Sequence, residues 1–178
     1  DYLACSPRPG AHPAEQLNWS QARDLLHALG LELPTEAQWE YAARGGTRKP
    51  WGRHDAPGEV RANLADGAYA AACPGSRPDP LLPPDGHGVH APVGTFPPNP
   101  FGLHDMVGNV REICLDRDPD YRFTWQKGTG LRDAIERRSC VTRGGAFNTP
   151  ARRARVSARN FDGAASSTLG FRAARPLD

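Results

Sequence analysis

From Thr47 to Phe101 the chain shows neither the period of a strand nor that of a helix, and this aperiodic stretch constrains the fold more than any other feature. A compact domain carries so long a loop only when something orders it, so a bound ion or ligand is expected there. The proline-rich run from Cys73 to Pro84 lies inside it. Composition agrees: 19 Gly and 18 Pro in 178 residues, with 38% apolar residues, describe a loop-rich chain. Tryptophans and other aromatics are spread along its length, which argues against disorder. The length fits one domain, residues 1–178, with a core that needs no staples.

Regular structure is legible on either side of that loop. Asn18 and Gln21 form a capping box ahead of Trp19, Ala22, Leu25, Leu26 and Leu29, which recur at helical spacing, and Gly30 ends the segment. Pro34, Thr35 and Gln38 open a second helix whose Trp39, Ala42 and Ala43 face inward, and Gly45 and Gly46 close it. Alternation then predicts strands over 106–116, 140–147, 152–158 and 169–175. Gly144 and Gly145 interrupt one of them, pointing to a bulge or a close backbone approach. The expected class is α+β: two helices, short antiparallel strands and much loop.

Charge excludes some functions. A net charge of +2 predicts no nucleic-acid partner, and no apolar run is long enough to span a membrane. Cys5, Cys73, Cys114 and Cys140 are widely spaced and form no C-x-x-C, so neither a zinc ribbon nor a redox dithiol is present. They are read as thiols of a cytoplasmic protein in preference to two disulfides of a secreted one. Histidines 12, 27, 54, 87, 90 and 104 are scattered; only His87 and His90 lie close in sequence, a weak metal signal.

Four motifs in order, LPTEAQWEYAARGG (33–46), APVGTFPPNPFGLHDMVGNVRE (91–112), VTRGGAFNTP (141–150) and LGFRAAR (169–175), resemble the formylglycine-generating-enzyme or sulfatase-modifying-factor family. The resemblance covers residues 12–178 and implies a C-type-lectin-like fold. The opening strands and helix of a family domain are not found here, so that N-terminal portion is expected to be missing, cleaved or supplied separately. The family's oxidases hold copper through two cysteines shortly after the RGG motif, as paired thiolates select Cu(I). Here Thr149 and Ala154 stand roughly where those ligands would sit, and copper is not expected. GGAFNTP with ARNF (158–161) resembles more closely the lectin-like domain of sulfoxide synthases. Their iron-binding histidine motif lies in a separate domain and has no counterpart here.

The resemblance also implies structural calcium, a hard ion that takes carboxylate, amide and carbonyl oxygens. A first set is Asn63, the Leu64 carbonyl, Asp85 and the His87 carbonyl. A second is Asp105, the carbonyls of Val107, Gly108 and Val110, and Glu112; Arg111 and Ile113 replace the family's usual tryptophans beside it. The alternative is that Asn109 and Glu112 merely satisfy backbone groups in a turn. In this fold the last strands and loops bind ligands. Arg152, Arg153, Arg155, Arg159, Arg172 and Arg175 crowd that region, and alternation places Arg153, Arg155 and Arg159 on one strand face. Phe147, Asn148, Arg153, Arg155, Arg159, Asn160 and Phe161 are therefore the candidate ligand residues, for a protein, a peptide or a small anion. The arginine of GFR, Arg172, reads instead as one that holds loop carbonyls. Related lectin-like proteins diversify this same segment. The expected function is a non-catalytic sensor or recognition module, the alternative a metal-dependent oxidoreductase or its accessory domain.

Overall fold

Both predicted helices form where their caps place them. A computed structural model of the chain describes residues 12–117, 124–132, 139–162 and 164–175; Cys5 lies outside these residues. Helix α1 spans Trp19–Ala28 and α2 spans Glu36–Arg44, each opened by a reciprocal capping box, Asn18 with Gln21 and Thr35 with Gln38. Gly45 closes α2 in the left-handed conformation. On α1 the buried stripe is narrower than the sequence predicts: Ala22 and Leu26 are buried, whereas Leu25 and Leu29 are exposed. No helix among the described residues is long and apolar enough to cross a membrane.

Strands β1 (Arg111–Ile113), β2 (Cys140–Arg143), β3 (Asn160–Asp162) and β4 (Leu169–Phe171) make one sheet in the order β3-β2-β1-β4. The β1–β2 and β2–β3 pairs are antiparallel, but β1 pairs with β4 in parallel, so the sheet is mixed. Successive side chains of a strand point to opposite faces. Ile113 and Cys140 accordingly join Ala22, Leu26, Leu33 and Leu169 in a cluster with α1, while Cys114 and Val141 join Trp39, Ala43, Met106 and Val156 in a cluster with α2. The sheet is thus covered on one face by each helix.

Two readings need correction. Residues 152–158 are not a strand: Ala151–Arg153 is a 3-10 turn. Its first residue and the one three positions on, Ala151 and Ala154, are both buried, which is helical spacing disguised as alternation. The aperiodic stretch, moreover, has an apolar core of its own, where Trp51, Val60, Ala62, Leu64 and Leu82 pack on Ala151 and Ala154. It also contains a short helix, α3 (Gly67–Ala72), capped by Asp66. Burial therefore orders part of what the sequence assigned wholly to a ligand.

Candidate functional site

The positions after the glycine pair set the chemistry. Gly145 has a positive φ of 76°, and a Cβ there would come within 2.8 Å of the Ala154 Cβ and 3.3 Å of the Thr149 Cγ2. Thr149 and Ala154 hence flank the same glycine. The Ala146 N–H donates to the Thr149 hydroxyl at 3.0 Å, and Ala154 is fully buried. A hydroxyl already engaged by backbone and a buried methyl supply no soft ligand, so these residues do not fit copper. The two buried cysteines among the described residues do not replace them. Cys140 is buried on β2, and burial pushes the Cys114 thiol well above its ordinary range, which keeps it from the reactive thiolate form.

The oxygen sets predicted for calcium behave differently from each other. Asn63 is fully buried; its amide donates to the Val89 carbonyl at 2.8 Å while its Oδ1 has no partner among the described residues. Asp85 Oδ1 accepts from the His87 N–H at 2.7 Å, and its Oδ2 is buried without a partner among the described residues. Burial pushes the Asp85 carboxyl up to about 6, with the neighbouring Asp66 adding to the rise and the His87 and Leu64 amides opposing it. A carboxyl raised in this way favours the fold while protonated, a contribution lost as pH rises through about 6, and a bound cation offsets that loss. Two orphaned buried oxygens beside the Leu64 and His87 backbone fit a hard cation.

In the second set, Asp105, Gly108, Val110 and Glu112 line one cavity of about 250 Å³. Asp105 Oδ2 accepts from the Gly94 N–H at 2.6 Å and Oδ1 is buried without a partner among the described residues. Glu112, however, is already engaged. Its Oε2 accepts from Trp39 Nε1 at 2.6 Å and from Arg172 Nε at 2.9 Å, and its Oε1 from Arg172 Nη2 at 2.6 Å. Arg172 also donates to the His104 carbonyl at 2.9 Å, the loop-holding role expected of it. Asn109 satisfies backbone, receiving the Ala91 N–H at 2.8 Å. Among the described residues no cluster of three His, Cys, Asp or Glu side chains is arranged for a metal, so a cation in either place would draw on carbonyls and amides.

The arginines of the last segment divide into two groups. Arg143, fully buried on β2, lies 3.3 Å from Glu36 Oε1, donates to the Ala158 carbonyl at 2.6 Å and pairs with Glu40. Arg159 pairs with Glu36 through both its Nε and its Nη2, the latter at 2.7 Å. Arg159 is therefore committed to an internal ion pair, although its guanidinium also lies over the half-exposed Phe161 ring, 5.1 Å from the centroid. Phe147 is in the core, its ring beside Tyr69 and His90, and does not face solvent. Arg152, Arg153 and Arg155 are exposed and pair with no acid among the described residues, with exposed Asn148 nearby in sequence and Asn160 half-buried. The sequence reading missed the Glu36 and Glu40 network, whose partners lie more than a hundred residues away and leave no local spacing to read.

Known proteins match along the whole of this architecture. A family model described as sulfatase-modifying factor enzyme 1-like domain matches residues 4–177. A formylglycine-generating enzyme of Thermomonospora curvata is 36% identical over 93% of this chain and 56% of its own length. A protein of Bos taurus named inactive C-alpha-formylglycine-generating enzyme 2 is 37% identical over 91% of this chain and 50% of its own. The chain thus spans about half the length of these curated relatives. Among solved structures, Treponema denticola variable protein 1 superposes with a TM-score of 0.70 at 25% identity, over 96% of this chain and 75% of that one.

Proposed function

The chain belongs to the sulfatase-modifying factor enzyme 1-like domain family, and within that family we propose that it is a non-catalytic recognition module. The observation that carries this reading is the pair Thr149 and Ala154 around Gly145, where the oxidase chemistry calls for two thiolates. Relatives named as inactive enzymes are consistent with it, among them the Bos taurus protein and a Mus musculus one at 37% identity. The binding face is built from the segment from 146 to 168, with Arg153 and Arg155 as cations that pair with no acid among the described residues, Asn148, Asn160 and Phe161 around them, and the Arg159–Glu36 pair as its support. Its ligand is a protein, peptide or small molecule that presents carboxylates or phosphates, which a guanidinium fork recognises bidentately.

An acidic octapeptide of glutamates serves as probe. Arg153→Glu combined with Arg155→Glu is expected to weaken its binding more than tenfold. Both side chains are exposed, so folding stability should change by no more than about 0.5 kcal/mol. Unchanged affinity in the double variant would remove the face from consideration. An oxidoreductase reading needs ligands other than a cysteine pair.

Calcium at Asn63, Leu64, Asp85 and His87 is the structural part of the proposal. At the second set, a cation using Asp105 and the carbonyls of Val107, Gly108 and Val110 would have to share Glu112 with Arg172. Binding to the folded state at a hundredfold excess over Kd stabilises by about 2.7 kcal/mol. Chelation with EGTA should then lower the melting temperature by about 5–10 °C in a chain of this size. Asp85→Asn should abolish that shift. Identical melting curves with and without chelator would count against calcium.

A further inference from the structure

A second site is lined by none of the exposed arginines Arg152, Arg153 and Arg155. We infer that the cavity of about 230 Å³ beside the Trp51–His54 turn takes a small organic carboxylate with an apolar body, bound by Arg53, Arg61 and His54 against Trp51, Phe96 and Met106. Aromatic and aliphatic walls with a few convergent polar groups are the usual make-up of a small-ligand pocket. Two arginines and a histidine here face a single acid of the lining, Asp105. Arg53 is steadied by the bond from its Nη1 to the Pro98 carbonyl at 3.0 Å, leaving the rest of its fork available. Arg61 is exposed and forms no salt bridge among the described residues.

Of the nearby acids, Asp55 and Glu59 are engaged, while Asp105 keeps one buried oxygen without a partner among the described residues. Asp55 pairs with Lys49 at 2.8 Å, Glu59 accepts from the Asp55 N–H at 3.3 Å, and Asp105, which also lines the cavity, accepts from the Gly94 N–H at 2.6 Å. The His54 ring shows the resulting positive field. Burial first, and then Arg53, Arg61 and Lys49, hold its pKa below the usual histidine range, with Glu59 opposing them. A carboxylate entering the cavity would neutralise that excess while its apolar body covers the Trp51 and Phe96 side of the wall.

The test is a ¹H–¹⁵N titration of the full chain, following the Trp51 indole and the Arg61 amide, with benzoate, benzamide and benzylamine. Benzoate is expected to saturate, with benzamide at least tenfold weaker and benzylamine without effect. Arg61→Gln should weaken benzoate about tenfold and leave benzamide unchanged. Because Arg61 is exposed, that variant should fold normally. The tripeptide Gly-Gly-Phe separates the two sources of such a group: tighter binding than benzoate assigns the carboxylate to a chain terminus, weaker binding to a free small acid. Equal affinity for benzoate and benzamide, or no saturable shift at Trp51 with benzoate, would overturn the inference. Arg153 and Arg155 are exposed and do not line this cavity, so either result leaves the reading of that face to its own variants.

Discussion

Replacing Arg143 with alanine is expected to destabilise the chain far more than truncating any of the exposed arginines. The guanidinium is fully buried between Glu36, Glu40 and the Ala158 carbonyl, with the Trp39 ring 5.4 Å beneath it. Removing one partner of a buried pair leaves the others desolvated and uncompensated, at a cost of about 3–5 kcal/mol. Arg159 still pairs with Glu36, and Arg44 still reaches Glu40 at 2.6 Å, so the loss should fall toward the lower end. For a chain of this size each kcal/mol lowers the midpoint by about 2–4 °C, so thermal unfolding should fall by about 10 °C. A shift under about 2 °C would show that the network is solvated in solution. Arg143→Met, which keeps the packing volume, separates lost charge from lost contact.

Gly108→Ala should be comparably damaging for a different reason. The backbone at Gly108 has a φ of 80°, a region that residues with a Cβ rarely occupy. An added Cβ would lie well inside van der Waals contact with the Asn63 carbonyl oxygen and 2.9 Å from its carbonyl carbon. Those atoms are backbone and cannot rotate away. The Asn109 N–H donates to that same Asn63 carbonyl at 2.8 Å, and the Gly108 N–H donates to the Gly144 carbonyl at 2.9 Å. The methyl would therefore push apart the two loops that carry the candidate calcium oxygens. Strain at such a position costs on the order of 1–3 kcal/mol before the clash is counted. The expected results are a midpoint lower by at least about 5 °C and loss of the calcium-dependent shift, both readable by calorimetry. A midpoint within about 1 °C of the parent would mean that the two loops part without cost.

The helices were legible because caps are local: Asn18 with Gln21 and Thr35 with Gln38 stand three residues apart and announce their own chemistry. The four motifs carried the family for the same reason. Strands were overextended because alternation continues into loops. Asp105, with a φ of 57°, immediately precedes the stretch 106–116 read as strand, and Asn109, with a φ of 66°, leaves the extended region inside it. At 152–158 a run of arginines between alanines imitates a strand face, yet Pro150 ahead of Ala151 opens a turn whose inward residues are three apart. Asp66 was the missed cap of α3, a helix too short to show a period. The division of the arginines into structural and free could not be read from spacing at all. Arg159 and Arg143 find their acids on α2, more than a hundred residues earlier, and only the folded sheet brings them there.

That division decides what is left for recognition, and the glycine pair decides what chemistry is left beside it. The most direct test of the non-catalytic reading is the metal content of the protein purified without added metal, followed by titration with Cu(I). The expected result is one equivalent of calcium, or two if Glu112 is shared, with no stoichiometric copper or iron and no oxygen consumption in the presence of a thiol peptide. Stoichiometric copper or iron, with oxygen consumed as the peptide thiol is oxidised, would contradict it.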